Sequence, residues 1–223
     1  MNSLKRRIKN WREYSKLSDL GIIARRKFFN NCFDGALTCA GIVSGIFIIF
    51  IGGSNNITPN TVLVTGFATA LAIGISGLWG AFLSEEAERR KKVADMRKDM
   101  AIIEDILDEK PEPVEFKRKK LRRKKNKTLL EKAEYYATIV ASIVDGGAPV
   151  LGSSLPLIPF FFGAELSYLH FIFSYLILTA LLVYLGIFLG QISGGGKLRY
   201  ALHLVTAGIV TLAISIALGQ IAG

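Results

Sequence analysis

Two aspartates stand where charge is costly. Asp34, in Phe33-Asp34-Gly35-Ala36, opens one long uncharged stretch of the 223-residue chain, and Asp145, in Val144-Asp145-Gly146-Gly147, lies early in another. A charge at the centre of a membrane helix costs ~2.5 to 3.5 kcal/mol even on the mildest insertion scale, so a carboxylate kept in such a stretch points to an ion or proton path. The two motifs are one motif repeated. Read at i, i+4, i+7 and i+11, a single helix face, the first gives Asp34, Thr38, Gly41 and Gly45, and the second gives Asp145, Pro149, Gly152 and Pro156. A proline has no N–H to offer the carbonyl four residues back, so Pro149, Pro156 and Pro159 release the carbonyls of Asp145, Gly152 and Leu155. A carboxylate and carbonyl oxygens gathered along a broken helix suit a cation, and lipid tolerates such backbone only where it is buried or wet. A plainer reading stays open, in which both aspartates sit near the cytoplasmic ends of their spans, solvated or paired with Arg25 or Arg26.

The elements that position these residues follow from composition. The chain is 51% hydrophobic and 21% charged, with a mean hydropathy of +0.38; the two populations must be segregated along the sequence. Disorder, collagen and disulfide scaffolds are excluded. Uncharged or nearly uncharged blocks at 35–53, 61–83, 138–162, 167–192 and 198–222 are each long enough to span a bilayer, which takes ~20 residues. The expectation is an all-α integral membrane protein: five transmembrane helices with an internal parallel two-helix repeat, plus a cytoplasmic helical insert. Its parts are a basic cytoplasmic segment (1–30), helices one and two (31–83), the charged insert (84–137) and helices three to five (138–223). Residues 1–30 lack the apolar core of a secretory signal and read as retained. Cys32 and Cys39, seven apart in one helix, stand ~10 Å apart and cannot bridge each other.

Charge sets the expected orientation. Of 28 Lys and Arg, nine precede the first span, 17 lie between Glu85 and Ala137, and two, Lys197 and Arg199, separate the last two spans. None falls on the opposite face, so the positive-inside rule places the N-terminus in the cytoplasm and the C-terminus outside. Within the insert, Ala87, Val93, Met96, Met100, Ile103 and Leu107 recur at helical spacing, a helix expected to end before Pro111. Glu104, Asp105, Asp108 and Glu109 form two carboxylate pairs at i, i+4, close enough to share a divalent ion or to lie on a solvated face. Nine of the 11 residues from Lys117 to Lys127 are basic. Without interleaved aromatics this run suits anionic lipid rather than nucleic acid.

Taken together, Asp34-Gly35, the stretch Gly80-Ala81-Phe82-Leu83-Ser84-Glu85-Glu86-Ala87-Glu88, the pattern Asp145-Gly146 followed by Leu155-Pro156-Leu157-Ile158-Pro159-Phe160, and the Ser193 to Gly196 turn before Leu198-Arg199 resemble the vacuolar iron transporter family. The resemblance implies a five-helix protomer, a homodimer with its conduction path near the first spans, and an insert whose carboxylates capture divalent metal. Ferrous iron or manganese would leave the cytosol in exchange for protons, the metal being cargo rather than cofactor. Asp34 matches the family's first-span aspartate; Glu85 and Glu88 match the acidic start of the insert. Asp145, Glu104 and Asp108 complete the candidate metal residues. The second span departs from the pattern: Ser76-Gly77 and Gly80-Ala81-Phe82 stand where the family reads Ser-Met and Gly-Glu-aromatic, so a thioether and a carboxylate are both missing. Carboxylates and carbonyls alone favour harder ions.

Rival readings rest on other residues. Small residues at Gly41/Gly45 and at Gly66, Ala70 and Gly74 permit close helix contact and, at the first pair, self-association. Gly74-Ile75-Ser76-Gly77 is similar to the nucleophile motif of rhomboid proteases, with His203 at a comparable depth as a base. His203 otherwise reads as a polar contact between helices, and His170, near the outer interface, as needing no partner. Trp11 and Trp79 read as interfacial anchors. A non-transporting scaffold that binds anionic lipid or a protein through the polybasic loop accounts for the composition as well as a carrier does. A cell membrane is the expected location, an organelle membrane the alternative.

Overall fold

A computed structural model describes residues 20–53, 57–107 and 129–222. Among these residues the chain is helices joined by short connections, without strands. The elements are α1 (Leu20–Ile51), α2 (Pro59–Leu107), α3 (Leu129–Ser154), a 3-10 segment (Leu155–Phe161), α4 (Tyr168–Ser193) and α5 (Lys197–Ala222). All five helices are long and apolar enough to cross a membrane, which bears out the expected fold class. Trp11, Asp108, Glu109, the Pro111 break and the basic run from Lys117 to Lys127 lie outside the described residues.

Local chemistry explains the ends. Thr58 and Thr61 cap α2 reciprocally, the Thr61 N–H donating to Thr58 Oγ1 and the Thr58 N–H to Thr61 Oγ1, with Pro59 at the first helical position, where its missing N–H costs nothing. At the far end of α4, Gly194 adopts the left-handed conformation, φ 67°, and turns the chain into α5. Pro156 and Pro159 convert the end of the third span from α to 3-10, whereas Pro149 is absorbed inside α3. The second span and the insert helix form one element. α2 runs unbroken for 49 residues, about 74 Å at the usual rise, because no Gly or Pro follows Gly80 before Leu107 and Glu86 and Arg90 bond across one turn.

The chain divides into two compact units. The larger, drawn from 25–78 and 144–222, is packed through residues too small to keep helices apart. A Cβ added to Gly35 on α1 would run into the Pro149 carbonyl of α3, and one on Gly152 of α3 would meet the Cys32 carbonyl of α1. On the other side of α3, Gly146 lies against the Gly74 carbonyl and Leu78 of α2, Gly74 against Val150, and Gly66 against Leu157. The glycine of each Asp-Gly motif, Gly35 and Gly146, is thus a point of helix-to-helix contact. Gly66, Ala70 and Gly74 also pack within the chain, in keeping with the packing role read for that ladder. Around these contacts Cys39, Val43, Val62, Leu157, Phe160 and Phe171 form the main buried cluster. α4 and α5 meet at Gly186 against Ala201 and Gly190 against Lys197.

In the smaller unit, Ala133, Ala137 and Ala141 of α3 are buried at four-residue spacing. Lys92 of α2 pairs with Glu134 of α3 at 2.7 Å, and the Arg89 guanidinium lies over the Tyr135 ring.

Large apolar side chains remain on the outside: Val64, Ile75, Leu176 and Leu202 are each at least 59% exposed. A water-soluble surface does not carry such patches at this density; on helices of this length they face lipid or a second chain.

Two adjacent glycines test the packing account. Gly146→Ala should destabilise the protein by about 1 to 3 kcal/mol, the usual range for an overpacked contact. Gly147→Ala, where an added Cβ meets nothing within 4 Å, should be neutral or stabilise by up to about 1 kcal/mol through helix propensity. Thermal unfolding in one detergent measures both; equal effects would remove α3 packing as the cause.

Candidate functional site

The repeated aspartates sit in different surroundings. Lys27, Asn31 and Asp34 lie at i, i+4 and i+7 along α1, one face of a helix. The Lys27 ammonium donates to Asp145 Oδ2 at 2.7 Å, with side chains only 20% and 16% exposed. The Asn31 amide donates to Asp145 Oδ1 and to the Lys27 carbonyl, the latter at 2.9 Å. Both oxygens of Asp145 are therefore engaged by α1. Asp34 is exposed, and among the described residues its carboxylate has neither an ion pair nor a hydrogen bond; only its carbonyl is used, by Thr38 Oγ1. Among the described residues neither aspartate pairs with Arg25 or Arg26. Asp34 lies 17 residues before Ile51, about 26 Å along the helix, hence near one boundary of a hydrocarbon layer ~30 Å thick.

A second group of carboxylates lies in the smaller unit. Glu85, Glu88, Arg89 and Lys92 of α2, with Glu134 and Thr138 of α3 and Ile23 of α1, line a cleft of about 190 Å³. The structure thus brings the predicted Glu85 and Glu88 together with Glu134, which sequence reasoning missed. The stripe Ala133, Ala137, Ala141 marks the packed face of α3 and places Glu134 and Thr138 at its edge, so the signal was present. Basic residues share the cleft: Lys92 holds Glu134. Among the described residues no three of His, Cys, Asp or Glu converge tightly enough to hold a metal ion unaided. Glu104 stands near the end of α2, and Asp108 falls outside the described residues.

One of the two second-span positions at which the resemblance implies a ligand has a structural account. A Cβ on Gly77 would sit 2.9 Å from the Asp145 carbonyl of α3, the very oxygen that Pro149 leaves without an intrahelical partner. A methionine there would have to push the helices apart. Position 81 is a buried alanine.

The histidines differ from expectation. His170 does have partners: the Ser167 N–H donates to Nδ1 at 3.1 Å, the Ser167 hydroxyl lies 2.9 Å from the same nitrogen, and Nε2 faces the Phe162 carbonyl. A backbone N–H only donates and a carbonyl only accepts, so Nδ1 is the acceptor and Nε2 the donor. This side chain caps α4 while stacking on Phe160. His203 is exposed and, among the described residues, makes no interhelical hydrogen bond, nor any bond to Ser76.

These features define a multi-pass helical membrane protein with carboxylates at one end of a span and in a charged cleft. The family model described as the VIT family matches residues 118–220, which bears out the resemblance to vacuolar iron transporters. The chain is also similar to the uncharacterized protein MJ0645 of Methanocaldococcus jannaschii, 25% identical over 189 residues that make up 85% of this chain and 84% of that one.

The Lys27 and Asp145 pair predicts non-additive stability. Lys27→Ala strands a mostly buried carboxylate and should cost about 3 kcal/mol, the low end for broken buried pairs because part of each side chain still meets solvent. Lys27→Ala with Asp145→Ala should cost clearly less than the sum of the two single changes. A double-mutant cycle on thermal unfolding gives the coupling, and additive effects would deny the pair.

Proposed function

We propose that the protein is a carrier that moves divalent metal ions, ferrous iron or manganese, out of the cytosol in exchange for protons. The observation that supports this best is Asp34. It is a carboxylate with no protein partner among the described residues, on a face with Thr38, Gly41 and Gly45, at the edge of an apolar span. Such a group is costly in lipid and useful to a dehydrating cation or a proton. Its oxygen chemistry, with no thioether at position 77, suits manganese better than softer ions.

The remaining roles follow from charge and spacing. The cleft carboxylates Glu85 and Glu88, with Glu134, would collect the ion, and the pairs built on Glu104 and Asp108 further along the chain would extend that capture. The distribution of Lys and Arg supports a cytoplasmic N-terminus and a location in the cell membrane, with the run from Lys117 to Lys127 on anionic lipid. A homodimer through α1 fits the open face of that helix: a Cβ on Gly45 meets nothing within 4 Å, and one on Gly41 meets only Thr211 at 4.0 Å.

The test is a flux panel. The protein in liposomes should take up manganese or iron when an opposing pH gradient is imposed, and Asp34→Asn should lower the rate at least tenfold. Glu85→Gln with Glu88→Gln should raise the half-saturating metal concentration more than it lowers the maximal rate. No flux of iron, manganese, calcium or magnesium would eliminate the carrier reading; full flux in the Asp34 variant would move the site elsewhere. Crosslinking of Gly41→Leu with Gly45→Leu, expected to lose the dimer, tests the association face.

A further inference from the structure

Asp34 and Asp145 open the same motif, yet among the described residues one carboxylate is bare and the other is held at both oxygens. The difference comes from α1. On that helix Lys27 and Asn31 occupy the two turns before Asp34 and reach across to α3. The equivalent positions on α3, seven and three residues before Asp145, are Thr138 and Ser142, whose hydroxyls bond to carbonyls of their own helix, those of Glu134 and Thr138. At these two positions α3 therefore carries no charge, whereas α1 supplies a cation to Asp145.

We propose that Lys27 is a tethered counter-cation that reserves Asp145, making it a specificity-determining residue: Asp145 accepts a divalent ion only when the charge of Lys27 is removed. The Lys27 ammonium, 2.7 Å from Oδ2, is itself the stand-in ion of a cation site. A divalent ion placed on the same carboxylate would face that positive charge at contact range, in surroundings that screen it poorly. With the charge gone, the carboxylate keeps Asn31 beside it. An amide that now donates its N–H can turn its oxygen inward, so the carboxylate, the amide oxygen and retained waters make a donor set for a hard divalent ion. The repeat thus encodes two carboxylates of which one is mobile-ion accessible and one is filled from within.

The inference deepens the carrier reading by stating which carboxylate the mobile ion meets, but its test does not pass through transport. Manganese binding to the purified full-length protein in detergent is counted by electron paramagnetic resonance of the free hexaaquo ion. Wild type and Asp145→Asn should bind the same number of ions per protomer. Lys27→Met should bind one more, Lys27→Arg the wild-type number, and Lys27→Met with Asp145→Asn should lose the added ion. Four results would overturn the proposal: a lower count in Asp145→Asn, an unchanged count in folded Lys27→Met, a gained ion in Lys27→Arg, or an added ion that survives the double change. Should Lys27→Met fail to fold, the comparison of wild type with Asp145→Asn still decides, since a reserved carboxylate contributes no ion. Absence of flux in liposomes would leave these counts untouched, so the failure of either reading is recognised separately.

Discussion

The larger unit depends on α3 being able to touch its neighbours backbone to backbone. Lipid offers no hydrophobic drive for joining helices, so association must come from van der Waals contact and from polar bonds across the interface. Gly35 against Pro149 and Gly152 against Cys32 bring α1 to one side of α3, while Gly146 against Gly74 and Gly77 against the Asp145 carbonyl bring α2 to another. Only with α1 that close can Lys27 and Asn31 span the gap to Asp145. The ion pair is a consequence of glycine packing as much as of charge. Proline takes part in the same contact: Pro149 is fully buried at the crossing, and its carbonyl is both the surface that Gly35 fits and the acceptor of the Ser153 hydroxyl.

How much of this was legible in the sequence depends on what each residue's signal reports. Apolar blocks bounded by charge gave the spans, because length and hydropathy act through each segment alone. The Asp-Gly repeat and the Gly66, Ala70, Gly74 ladder were visible as patterns, and the structure gives them a common meaning as contact points. The continuity of α2 was missed because a switch from apolar to charged residues looks like a boundary, although helix formation responds to breakers, and none follows Gly80. Lys27 was read only as one of many basic residues, since a partner 118 positions away leaves no local trace. Glu134 was passed over for the same reason, although the neighbouring alanine stripe marks its face. His170 looked idle because capping by a histidine three residues past a serine lacks the familiar acidic signature of that turn.

The departures at positions 77 and 81 and the pairing of Asp145 bear on one question, the charge and softness of what the membrane-spanning carboxylate can accommodate. The resemblance implies a thioether and a carboxylate that this chain does not carry, and at position 77 there is no room for a side chain, since a Cβ would lie 2.9 Å from the Asp145 carbonyl. Lys27 then neutralises the one other acidic group in the same unit that sequence symmetry would have offered. On the carrier reading, the absent carboxylate at position 81 and the pairing of Asp145 run in the same direction, toward one unpaired negative charge on the α1 face, whereas the absent thioether is neutral and alters softness alone. On the carrier reading, a divalent ion at Asp34 would be left half neutralised by one chain. A second copy meeting across Gly41 and Gly45 would bring a second Asp34 toward the same region and balance it, whereas a proton needs only one. On that reading, exchange of one metal ion for protons on a pair of equivalent carboxylates would need no ligand that this chain lacks.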